Sequence, residues 1–181
     1  MYSFKIKYAE CAIKQYLYRH PNSKVAAKAL DGDCEAMMEL YEKLCGPAEK
    51  VIEEGPSDDA IFIISEAVNQ KHIPAMITFA QDTMCVCEEF WPDGLMILLE
   101  AYNLGSQEAM TELRNDWHNC VKNVEASYKD GERISKYEEF MLAFYYYHGI
   151  ESFKNEALAL SLFQSSAKRG CYQASSMLQK D

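Results

Sequence analysis

The chain has 181 residues, 49% of them hydrophobic and 25% charged, with a formal net charge of −10 at pH 7. That composition excludes disorder and suffices for a sizeable core without metals or disulfides. The acidic balance argues against a protein that tracks nucleic-acid phosphates or docks on anionic lipid.

The N-terminus, MYSFKIKYAECAIKQYLYRH, carries a charge every few residues and lacks the apolar stretch of a secretory signal. One or two helices are expected over residues 4–29. Downstream, AMMELYEKL, IFIISEAV, GLMILLEAY, EEFMLAFYYY and ALALSLFQSSA repeat apolar residues at helical spacing. Strand-like alternation is hard to find, so the chain reads as all-α. Short loops are marked by CGPAEK, EEGPSDD, FWPDG, YKDGE and HGIESFKNE, with the segment from Leu44 to Asp59 the longest. No apolar stretch is long enough to span a bilayer.

The helices follow a repeat. Gly32, Lys71, Gly105 and Gly170 are each followed, four and eight residues on, by Ala36 and Leu40, Ala75 and Phe79, Ala109 and Leu113, and Ala174 and Leu178. A pair precedes each anchor: Lys28/Ala29, Ala67/Val68, Ala101/Tyr102 and Ser166/Ala167. A weaker copy centres on Ile134, with Glu138 and Leu142 behind it. The anchors lie about 30–40 residues apart, the length of a helix–turn–helix unit that stacks on its neighbours to bury its apolar face. A glycine between helices tolerates the left-handed conformation that ends the first, and the alanine allows two helices to approach closely.

This pattern resembles the Sel1-like repeat, a relative of the tetratricopeptide repeat. Residues 138–178 carry it most fully, through Leu142-Ala143, Tyr146 and Gly149, Ala157, Ser166-Ala167, Gly170 and Ala174. Residues 93–117 match at Ala101, Gly105, Ala109 and Leu113, while Lys71 departs from the expected glycine. The resemblance implies a single right-handed α-α superhelix of about five repeats over 31–181, capped by helices over 1–30. It also implies a non-enzymatic scaffold, adaptor or inhibitor. The seven cysteines are irregularly spaced, unlike those of the secreted, disulfide-stapled members. They read as free, mostly buried thiols of a cytoplasmic protein, with no disulfide, no metal site and no cofactor.

In tetratricopeptide-like stacks the first helix of each hairpin lines the concave side. Carried onto this sequence, the resemblance points Glu35, Met38, Glu42 and Cys45 into a groove in the first unit. It points Pro74, Ile77, Gln81 and Met84 there in the second, and Glu108, Thr111, Asn115 and His118 in the third. Tyr137, Phe140, Phe144 and Tyr147 follow in the fourth, and Gln173, Ser176 and Gln179 in the last. Four aromatics in one unit are candidate hot spots, or else the inside of a buried helix. Trp91 and Trp117 read as core.

Charge is concentrated. Residues 51–121 hold thirteen acidic residues against two basic ones, Lys71 and Arg114. Such a segment steers a basic partner, and Glu112 and Asp116 join the groove set for this reason. No GxSxG, HExxH, P-loop or dinucleotide fingerprint occurs, and the four histidines are scattered, so no enzyme is expected. His118, Cys120 and Asp116 meet catalytically only if tertiary structure happens to join them. The expected function is an acidic inhibitor or immunity-type protein that neutralises a basic partner such as a toxin nuclease. The alternative is an adaptor that takes a peptide or helix on the aromatics. A protein partner, no nucleic acid, no membrane and a monomeric state are expected.

Overall fold

The computed structural model describes residues 5–46, 56–152 and 154–179. Most of the expected long loop between Leu44 and Asp59 lies outside them. The described residues are α-helical with short connections and no strand. They fall into two compact units, one up to Phe79 and one from Ala80.

The first unit contains α1 (Lys5–Arg19), α2 (Lys24–Leu30), α3 (Cys34–Cys45) and α4 (Asp58–Asn69). The unit boundary falls inside α5 (Ile73–Val86). α1 packs on α2 and on α4, where Tyr8 stacks over Phe62 with ring centroids 5.0 Å apart. α3 packs on α2 and α4. The core is built largely from alanines and branched side chains, among them Ile13, Ala29, Leu40, Ile63, Ile64 and Ala67. Small residues let the helix axes come close, and the larger ones fill the space between.

The second unit continues with a 3₁₀ turn (Glu88–Phe90), α6 (Trp91–Asn103), α7 (Gln107–Arg114) and α8 (Asp116–Lys129). α9 (Lys136–His148), a 3₁₀ turn (Ile150–Ser152), α10 (Glu156–Lys168) and α11 (Tyr172–Leu178) complete it. Successive helices from α6 to α11 pack on one another, and α6 also meets α9. Trp117, Phe140, Phe144, Tyr145 and Phe163 are among its fully buried side chains.

One hydrogen-bonded turn recurs at every repeat boundary read from the sequence. At the end of α2, Gly32 donates its N–H to the Ala29 carbonyl and Asp33 to that of Lys28, both at 3.1 Å. Lys71 and His72 donate likewise to Val68 and Ala67, Gly105 and Ser106 to Tyr102 and Ala101, and Gly170 and Cys171 to Ala167 and Ser166. This is the Schellman closure, which satisfies the last carbonyls of a helix by placing one residue in the left-handed region. The residue pairs upstream of the anchors are thus the acceptors of the turn.

The anchors take φ values of 94° at Gly32, 59° at Lys71, 103° at Gly105 and 89° at Gly170. Lys71 adopts the same backbone as the glycines despite its side chain. The next residue then opens the following helix. Asp33 and Ser106 accept the N–H of Ala36 and Ala109 at 3.0 and 3.2 Å. An N-cap of this kind contributes about 1 kcal/mol. The alanine at this third helical position is buried in α2, α3, α4, α5, α7 and α11.

The fourth anchor needs correction. Its left-handed residue is Gly131, at φ 77°, which donates to Tyr128 while Glu132 donates to Ser127. Ile134, the residue identified from the pattern, is buried three positions later. It precedes the N-cap Ser135 just as Gly32 precedes Asp33, so the register of α9 counts from it. The turn is three residues longer here, and the third helical position holds Glu138 in a capping box with Ser135 instead of an alanine.

Candidate partner-binding surface

The groove positions divide by burial. In the first unit, Glu35 and Glu42 are exposed on α3 and Met38 is half-buried beside them. The Glu35 carboxylate lies 3.0 Å from the His72 imidazole. Cys45 is half-buried, Pro74 exposed and Ile77 buried. In the second unit Gln81 is exposed and Met84 half-buried. The Met84 carbonyl accepts the Trp91 indole N–H at 3.3 Å. Gln173 and Ser176 are half-buried and Gln179 is exposed. The Gln173 amide donates to Asp93 at 3.1 Å.

The third repeat supplies the acidic run Glu108, Glu112 and Asp116. Glu108, Thr111, Asn115 and Asp116 are exposed and Glu112 is half-buried. α7 places Glu108 and Glu112 one turn apart on the same face. The helix stops at Asn115, whose φ of −100° and ψ of −88° leave the helical region. Asp116 then starts α8. Glu108 and Asp116 each sit in the first turn of a helix, where the N-terminal dipole favours a carboxylate. Arg114 is turned toward Glu151, Nε to carboxylate 3.2 Å, and so leaves the charge of the run standing.

His118 does not join that surface. It is buried in the first turn of α8, with its ring 6.2 Å from that of Tyr145. Burial lowers its pKa, and the neighbouring Lys122 lowers it further. Cys120 is half-buried and its thiol is pushed up by burial and by Asp116. A thiol held in its neutral form is a poor nucleophile.

In the fourth repeat the structure takes the buried-helix alternative at Phe140 and Phe144, which are therefore not groove positions. Phe140 and Phe144 have no exposed surface, so neither can touch a partner. Phe140 packs edge-on against Phe163 and alongside Phe144, at centroid distances of 5.4 and 6.1 Å. Residues 139–146 are buried all round because α9 packs against α6, α8 and α10, and a helix with neighbours on every side has no polar face to spare. Tyr137 and Tyr147 stay half-exposed, and the Lys136 ammonium sits 4.8 Å from the Tyr137 ring centroid.

Two tyrosines that pattern reading did not separate hold this unit together. The Tyr145 hydroxyl donates to the Leu113 carbonyl and ties α9 to the end of α7. The Tyr146 hydroxyl donates to Glu125 at 2.7 Å. Burial would raise the Glu125 pKa, but hydrogen bonds from Lys129 and Tyr146 outweigh it and hold the carboxyl below its ordinary value. Glu139, also buried, accepts from Ser165 at 3.0 Å and pairs with Arg169 at 2.9 Å. A buried carboxylate needs such partners. The sequence signal for it was a glutamate inside an apolar run.

Among the described residues no cluster of three or more His, Cys, Asp or Glu is placed to hold a metal ion. All seven cysteines are free thiols, but against the expectation of mostly buried thiols only Cys171 is buried, with Cys11, Cys85 and Cys87 exposed and the rest half-buried. No described helix is long and apolar enough to cross a membrane. No family model matches this chain, and no curated protein or solved structure matches it.

Proposed function

We propose that this chain is a protein-binding module of the Sel1-like, tetratricopeptide-related kind, a non-enzymatic right-handed array that captures a basic partner in the cytoplasm. In its sharper form it is an inhibitor or immunity-type protein whose carboxylates stand in for a phosphate backbone and occlude a basic cleft, such as that of a toxin nuclease. The observation that carries this reading is the acidic run Glu108, Glu112 and Asp116, whose adjacent cation Arg114 is engaged with Glu151. Like charges close in sequence raise the local potential and speed encounter with an opposite charge. The repeated Schellman turn supports the array, and the seven free thiols fit a reducing compartment. The adaptor alternative has lost Phe140 and Phe144 to the core.

The test is a pull-down from host lysate at low salt and at about 0.5 M salt, where the Debye length is roughly 4 Å. It is run with the native chain and with Glu108→Lys/Glu112→Lys/Asp116→Lys. A basic protein should bind the native chain, elute at high salt and be absent from the variant. A partner retained equally by both chains at both salts would overturn the reading.

A further inference from the structure

We propose that the outward face of α1 is a second docking surface, one that takes an acidic helix of a partner protein. Between residues 5 and 28 this acidic chain reverses its sign, with six Lys and Arg and the single carboxylate Glu10. α1 buries Ala9, Ala12 and Ile13 on one side. On the other side Lys7, Glu10, Cys11, Lys14, Gln15, Tyr18 and Arg19 are all exposed. Ordinary helix chemistry accounts for part of this set. Lys14 pairs with Glu10 one turn away, and Arg19 complements the C-terminal dipole. It does not account for Tyr18, which is 90% exposed and adds nothing to the core.

Tyrosine and arginine are among the residue types that dominate interface energies. From Lys7 to Arg19 the face runs roughly 18 Å along a straight helix, which suits another helix laid alongside. The cations at its two ends call for carboxylates, and Tyr18, Gln15 and Cys11 between them offer apolar contact and hydrogen bonds. So few cations, with Glu10 among them, do not make a phosphate-tracking surface. The face is separate in sequence and charge from the acidic run of α7.

The probe is a fluorescein-labelled helical peptide carrying glutamates and leucines on one face, read by anisotropy against the full chain. Saturable binding is expected, weakened at least about tenfold by Lys7→Glu/Arg19→Glu and by Tyr18→Ala, and unchanged by Glu108→Lys/Glu112→Lys. Lys7, Tyr18, Arg19 and Glu108 are exposed and Glu112 is half-buried, and circular dichroism checks that each variant keeps its helices. As an independent footprint, the peptide should slow alkylation of Cys11, read by mass spectrometry, and leave Cys85 unaffected. Absence of saturable binding, equal binding by Tyr18→Ala, or equal competition by duplex DNA would overturn the proposal. None of these outcomes bears on the acidic run, whose test uses different residues and a basic partner.

Discussion

At Lys71 residue chemistry and fold disagree. A lysine at φ 59° holds a left-handed conformation that its Cβ disfavours by about 1–2 kcal/mol. It stays there because the turn closes two hydrogen bonds, from Lys71 to Val68 and from His72 to Ala67. Lys71→Gly should therefore raise stability by up to about 1 kcal/mol, part of the gain being lost to the freer unfolded chain. Urea denaturation measures this, and a loss of stability in the variant would mean that the lysine side chain holds the turn. The position was legible as a repeat anchor although its residue type was wrong, because the alanine and the aromatic at the following helical turns kept the spacing. Phe140 and Phe144 show the opposite case. Their spacing fitted a lining position, but exposure depends on how many neighbours a helix has, and spacing does not carry that.

At the scale of elements, Gly94 sets how closely α6 can approach α5 and α8. A Cβ at this position would lie 2.3 Å from the Thr83 hydroxyl oxygen and 3.1 Å from the Trp117 ring. The Thr83 hydroxyl already donates to the Ala80 carbonyl at 2.8 Å, and Trp117 is buried, so neither yields easily. Gly94→Ala is expected to destabilise by about 1–3 kcal/mol through overpacking. Adding Thr83→Ala should recover part of that loss. A double-mutant cycle that finds the two changes additive would show that the contact is not the cause. The sequence reading placed Gly94 in a loop, FWPDG, whereas Trp91 to Gly94 form the first turn of α6, which Pro92 can open because its missing N–H is not needed there. The helix starts, by contrast, rest on local chemistry. Ser23, Asp33, Ser57, Ser106 and Ser135 each cap a helix with a side-chain oxygen.

For the molecule as a whole, acidification is the most informative perturbation. His118 is the buried histidine, and burial lowers its pKa from the ordinary 6.5, as does Lys122, while Glu151 and Glu125 oppose the shift. The folded state thus holds it neutral. Its contribution to stability is present above about pH 6.5 and is lost as pH falls below it, because the unfolded chain takes up the proton first. His118→Gln should flatten the fall in Tm between about pH 6.5 and 5 relative to the native chain. Parallel pH profiles would show that His118 titrates alike in both states. A chain of net charge −10 loses self-repulsion over the same range, so the difference between the two profiles isolates the histidine.

The amino-acid order alone was enough for the all-helical class and the recurring turn, because each depends on residues a few positions apart. It also located the acidic block, since charge is additive along the chain. The three-residue displacement from Ile134 to Gly131 came only with the backbone conformation, for two registers coincide downstream of the turn. Burial of Phe140, Phe144 and His118 came only with packing. Whether an apolar face is covered depends on helices that lie tens of residues away, and here α6, α8 and α10 close around α9. The same dependence left Tyr18 outside, on a helix whose other side is filled by α2 and α4.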